Sequence, residues 1–137
     1  LHDEGGVQPA GQWLFCPMLD DRAASTDRNP IWDAYSNAQA WRYYTNGNPD
    51  APYAVPGRRT ELAGLPPAWL YAGSSELFYG EIVDYARRLK SAGVPTQCEV
   101  VEGGVHAFEL WAPYTAAAKR LLMNSRVWLQ STLNALD

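Results

Sequence analysis

Two residues stand where side chains could share a proton, Glu76 and His106. Each falls just past an apolar run that a turn cuts short. Ala68-Trp69-Leu70-Tyr71-Ala72 is broken by Gly73-Ser74-Ser75, and Glu76 follows. Thr96-Gln97-Cys98-Glu99-Val100-Val101 is ended by Gly103-Gly104, and His106 follows in GGVHAFEL. The first run is too short for a typical helix and too continuous for a half-exposed strand. It reads as a strand buried on both faces of a parallel sheet, and the second run reads as a strand beside it. Functional groups in open α/β sheets gather beyond the carboxyl ends of strands. A carboxylate and an imidazole placed there can meet. The carboxylate would orient the ring and stabilise its charged form, which is two thirds of a Ser-His-acid device. Each residue taken alone has another reading, a solvated loop Glu and a surface His after a Gly turn.

The elements that must position this pair follow from the flanking sequence. Pro66-Pro67 cannot sit inside a helix or a central strand, so the first strand starts after them. A helix is expected over about Glu81 to Ser91, where Ile82, Tyr85, Ala86 and Leu89 make an apolar stripe at i, i+3, i+4 and i+7. Gly93 is placed to cap its end. A last helix is expected from about Tyr114 to Leu133. Upstream, Gln12 to Leu19 reads as another buried strand, with Cys16 a small hydrophobe in it. Asp20-Asp21-Arg22 then makes a turn or lines the mouth of a site, the turn being favoured. Leu1 to Gly6 reads as a helix end stopped by glycines, and Ala23 to Pro30 as loop. Asn37 is expected to cap a helix over Ala38 to Tyr44. Asn46 to Arg59 is Gly/Pro-rich and reads as a long connection. The fold class is therefore α/β: a parallel three-stranded sheet with flanking helices and right-handed crossovers.

The stretch from Ala63 to Leu110 resembles the C-terminal part of the hormone-sensitive-lipase-like carboxylesterases, an α/β-hydrolase family. The matching residues are Leu65-Pro66-Pro67, Glu76, Tyr85-Ala86, Ala92-Gly93-Val94 and His106-Ala107-Phe108. Cys16-Pro17-Met18-Leu19-Asp20 and Trp41-Arg42-Tyr43-Tyr44 match as well. The resemblance implies that Glu76 is the triad acid and His106 the general base. It also implies that Trp41, Leu77 and Phe108 are substrate contacts, although the helical spacing of Trp41 and Tyr44 by itself reads as core. In such enzymes the triad runs Ser, acid, His along the chain. No G-x-S-x-G occurs here, and Gly73-Ser74-Ser75-Glu76-Leu77 has Leu at the second Gly position. The His-Gly-Gly oxyanion signature is also absent. By resemblance Leu1 falls just after the nucleophile helix. Residues 1–137 are thus expected to be a partial hydrolase domain holding the last three strands, inactive alone. The alternative is a non-catalytic binding or assembly module on a hydrolase scaffold.

Composition sets the outer bounds. The chain has 137 residues, 47% of them hydrophobic and six of them Trp, which suits a folded domain with a core. A net charge of -4 offers no basic footprint for nucleic acid or an anionic membrane. No apolar run approaches the roughly 20 residues of a spanning helix. With no signal peptide visible, the expected compartment is cytoplasmic. Neither a cofactor nor a metal is expected, and the expected substrate is a small-molecule ester if the site is completed. Cys16 and Cys98 are expected as free thiols, because two strand spacings of about 9.5 Å exceed the roughly 7 Å that a disulfide spans. The Gln12 to Leu19 strand would leave one edge unpaired and uncharged, so a homo-oligomer is expected.

Overall fold

Alternation inside one short strand sets the layers of this protein. The computed structural model describes residues 2–22, 29 and 31–135. Strands β1 (Gln12–Phe15), β2 (Ala68–Gly73) and β3 (Thr96–Val101) form a parallel sheet in that order. Central β2 is buried along its whole length. Successive strand residues point to opposite faces, and both faces of β2 are covered. Ala68, Leu70 and Ala72 pack with Ile82, Tyr85, Ala86 and Leu89 of helix α2 (Tyr79–Ser91). Trp69 and Tyr71 pack on the other side with Ala118 and Leu121 of helix α4 (Ala116–Asn134). Burying a Leu or Ile side chain fully stabilises by about 1.5–3 kcal/mol. An exposed ion pair such as Arg87–Asp84 contributes far less, so the two apolar layers, not surface charge, hold β2 in place.

The expected stripe of α2 is the buried face observed, and Gly93 closes the helix at φ 80°. The Val94 N–H returns to the Leu89 carbonyl at 3.0 Å, completing the terminal turn. Other boundaries move for local reasons. The run Gln12 to Leu19 is strand only as far as Phe15. Cys16 turns into the left-handed region at φ 41°, and Pro17 has no N–H for a ladder. Helix α1 spans Ala34–Tyr44, one turn earlier than expected. Its cap is Asp33, whose Oδ1 accepts the Ser36 N–H at 2.8 Å, while Asn37 is buried inside the helix. Both Asp and Asn cap well, and the earlier one wins. Helix α4 is capped by Thr115, whose hydroxyl accepts the Ala118 N–H, and a four-residue helix α3 (Phe108–Trp111) precedes it. Residues 2–4 form a turn rather than a helix end, followed by Gly5 and Gly6 at positive φ. The loop expected over Ala23 to Pro30 lies largely outside the described residues.

The long connection from Asn46 to Arg59 is pinned at several points. Arg58 forks onto Asp21 at 2.7 and 2.6 Å, Arg59 forks onto Asp3 at 2.6 Å twice, and Arg88 reaches the Gly57 carbonyl at 2.8 Å. Asp20 and Arg22 pair with each other, so the Asp20-Asp21-Arg22 segment is a structural turn, as favoured. Cys16 and Cys98 are free thiols. No described helix is long and apolar enough to cross a membrane.

Glu81 ties α2 to the chain leaving β1. Its Oε1 accepts the Leu19 N–H at 2.7 Å and the Asp20 N–H at 3.4 Å, while Oε2 is buried without a hydrogen-bond partner among the described residues. Burial pushes this carboxyl up to about 7, against the two N–H groups that lower it. The folded form therefore binds the proton more tightly than the unfolded chain. Such a group adds stability as pH falls from about 7 toward the ordinary carboxyl range, and removes it as pH rises through that window. Asp3 and Asp20 are held low by their arginines, so their contribution is lost only in stronger acid. Glu81→Gln keeps an acceptor for Leu19 and cannot ionise. Urea midpoints measured between pH 5 and 8 should fall with pH in the parent chain and fall much less in the variant. Parallel slopes would show that Glu81 does not titrate in this window.

Candidate active site

Three strand ends converge at the carboxyl edge of the sheet. The loops after β2 and β3 are laced together by backbone and hydroxyl groups. The Ser74 N–H donates to the Val101 carbonyl at 3.0 Å, the Ser75 N–H to the Gly104 carbonyl at 2.9 Å, and the Gly103 N–H to Ser74 Oγ at 2.9 Å. Contact this close needs glycine. A Cβ built on Gly73 would stand 2.2 Å from the Gly104 carbonyl oxygen. Both expected functional residues then fall on one another. His106 Nδ1 lies 2.8 Å from Glu76 Oε2, and Glu76 Oε1 accepts the Gly73 N–H at 2.8 Å. The Glu76 side chain is fully buried and the His106 side chain is 20% exposed. The carboxylate is thus fixed by its own strand end, and the ring keeps a route to solvent.

The walls around the ring were not foreseen. Phe78 meets the imidazole edge-on at 5.3 Å between centroids, and Trp32 lies tilted over it at 5.8 Å. Of the residues expected as substrate contacts, Trp41 is buried in α1 against Tyr44, and Phe108 packs edge-on against Tyr71. Leu77 packs against the α2 layer. Trp32 follows a segment without periodicity, and no sequence signal points to it.

Cys16 is the other addition. It sits just past the end of β1, so all three strands deliver a polar side chain to this edge. Its N–H still donates to the Tyr71 carbonyl at 3.1 Å. Its sulfur, a Glu76 oxygen and a His106 ring nitrogen lie within 4.8 Å of one another. Burial, with the nearby Glu76 charge, pushes the thiol up to about 12, which disfavours the thiolate a nucleophile requires. The Tyr71 hydroxyl donates to Glu109 Oε2 in a buried pair. The rule that identified Glu76 and His106, polarity just past a strand end, also fits Cys16. The hydrophobic character of its neighbours hid it. Ser74, nearest in sequence to a nucleophile motif, spends its hydroxyl oxygen on Gly103.

A cavity of about 720 Å³ lies elsewhere. It is lined by Tyr53, Arg58, Arg59 and Tyr85, and by Gln12 and Leu65 at the amino ends of the strands. Neither Glu76 nor His106 lines it.

The same chain is similar in sequence and shape to known esterases. Residues 1–110 match the family described as alpha/beta hydrolase fold. Esterase LipI of Mycobacterium tuberculosis (strain ATCC 25618 / H37Rv) is 30% identical over 141 residues, covering 96% of this chain and 44% of LipI. A bacterial heroin esterase superposes with a TM-score of 0.86 at 31% identity, over 96% of this chain and 45% of that one. A hormone-sensitive lipase from a metagenome library shares the fold with a TM-score of 0.84 at 21% identity, over 95% of this chain and 47% of that one. The chain spans less than half the length of each of these relatives. It belongs to the alpha/beta hydrolase fold family.

Proposed function

We propose that residues 1–137 form the part of a carboxylic ester hydrolase that supplies the triad acid, Glu76, and the general base, His106. The observation that carries this reading is the 2.8 Å contact between His106 Nδ1 and a carboxylate that Gly73 holds from its other oxygen. With Nδ1–H donating to Glu76, Nε2 keeps its lone pair and can take the proton of a serine hydroxyl as that oxygen attacks an ester carbonyl. The imidazolium so formed is stabilised by Glu76. It then returns the proton to the departing alkoxide, and the cycle repeats with water to release the acid. These 137 residues contain no G-x-S-x-G, so in this reading the nucleophile and the oxyanion donors come from outside them. The ester is a small molecule, with Trp32 and Phe78 beside the base and Trp41, Leu77 and Phe108 as further apolar contacts.

Two measurements test it. The chain alone should hydrolyse p-nitrophenyl butyrate no faster than its His106→Ala variant. Joined behind an esterase segment that carries G-x-S-x-G and its oxyanion donors, it should turn over. His106→Ala should then lower kcat by roughly a million-fold. A folded hybrid with no turnover, or turnover indifferent to His106 and Glu76, would favour a non-catalytic binding or assembly module instead.

The outer edge of β1 bears on the state of the chain alone. Among the described residues β1 pairs on one side only, and Trp13 beside that edge is 42% exposed. Unpaired N–H and C=O groups beside apolar side chains invite another strand. The chain alone is therefore proposed to pair there with a second copy. Light scattering over a dilution series should show a dimer or larger assembly. A monomer at micromolar concentration that binds no hydrophobic dye would refute this.

A further inference from the structure

The convergence of three strand ends places a sulfur, a carboxylate oxygen and an imidazole nitrogen within 4.8 Å of one another. None of the three comes from a neighbouring position in the chain. Cys16 follows β1, Glu76 follows β2 and His106 follows β3. Each is held by groups other than its two companions. The Cys16 N–H is bonded to the Tyr71 carbonyl, Glu76 Oε1 to the Gly73 N–H, and the His106 ring rests against Phe78 and Trp32. We propose that Cys16, Glu76 and His106 form a three-ligand site for a thiophilic divalent cation, Zn²⁺ or Cd²⁺.

The donor set selects the class of ion. Thiolate, imidazole and carboxylate together suit Zn²⁺ and its softer congeners. Ca²⁺ and Mg²⁺ demand more oxygen ligands than this site offers. Ligands at 2.0–2.3 Å from a tetrahedral zinc stand about 3.3–3.8 Å apart, so the widest donor pair would close by about 1 Å while His106 Nδ1 and Glu76 Oε2, 2.8 Å apart, would open slightly. Cys16 and Glu76 are buried while His106 is partly exposed. An ion would therefore enter past the ring and keep its fourth position for solvent, as three-ligand sites do. The thiol itself is a poor thiolate in this setting, because burial pushes it up to about 12. A divalent cation reverses that balance, since a coordinated thiol is deprotonated outright. On binding, the sulfur–metal bond forms as the thiol proton leaves to solvent. The Nδ1 proton of His106 leaves to solvent as Nδ1 ligates, and Nε2 takes up a proton from solvent, so the imidazole stays neutral. Tyr71 and Gly73 then act as outer partners that orient two of the ligands.

Occupancy would take the atoms that join Glu76 to His106. It would therefore inhibit an assembled esterase, a consequence that rests on the proposed function. Binding itself does not rest on it and is read without any ester. The experiment is titration of the reduced 137-residue chain with Cd²⁺, followed by the ultraviolet charge-transfer absorbance of the cadmium–thiolate bond, with Zn²⁺ as competitor. One Cd²⁺ per chain should raise a saturable band that Zn²⁺ removes. Cys98→Ser should keep the band and Cys16→Ser should lose it. His106→Ala, with an unchanged far-ultraviolet dichroism to show that the fold is kept, should weaken binding by about tenfold or more. No band in the parent chain, a band that survives Cys16→Ser, a band that Cys98→Ser abolishes, or an affinity that His106→Ala leaves intact would each overturn the site.

Discussion

The close approach of Gly73 to Gly104 is the constraint on which the candidate site depends. With a Cβ excluded at Gly73 by the Gly104 carbonyl, the loops after β2 and β3 can exchange hydrogen bonds directly. That lacing sets the distance between residues thirty positions apart. Glu76 lies three residues past one glycine and His106 two past the other. A wider gap between the loops would leave a buried carboxylate facing apolar walls, an arrangement whose cost exceeds that of a missing surface contact by several kcal/mol. The hydrogen bond from Gly73 N–H to Glu76 adds to this. The same glycine that admits the neighbouring loop also holds the acid.

Behind the loops stands a strand that cannot shift. β2 is covered by α2 on one face and by α4 on the other, and sliding it by one residue would exchange its two faces. Trp69 and Tyr71 would then meet the side shaped for Ala68, Leu70 and Ala72. The register that places Gly73 opposite Val101 is thereby fixed by side-chain size. Packing energy in the middle of the sheet is in this way converted into precision at its carboxyl edge, where the polar groups are.

Much of this was legible in the sequence, and the parts that were not share a cause. The burial of β2, the stripe of α2 and the meeting of Glu76 with His106 follow from periodicities and turn residues within short windows. Such local signals survive folding because tertiary packing agrees with them. The end of β1 was misplaced because an apolar run looks the same whether Cys16 extends the strand or turns left-handed. The cap of α1 was assigned to Asn37 because two capping residues lay four apart and only packing chooses between them. Trp32 at the imidazole and Glu109 at the Tyr71 hydroxyl depend on contacts between distant segments, which no local pattern encodes. Cys16 sat in plain view at a strand end, disguised by its apolar neighbours.

The central claim is that Glu76 holds the imidazole of His106 through its Nδ1 proton. Proton NMR of the chain at low temperature, with nitrogen-15 in the imidazole rings, tests it most directly. The result expected is a proton on His106 Nδ1 far downfield of the backbone amides, lost in Glu76→Ala while the amide spectrum stays dispersed. A His106 ring whose proton resides on Nε2, or an Nδ1 proton that Glu76→Ala leaves unmoved, would contradict it.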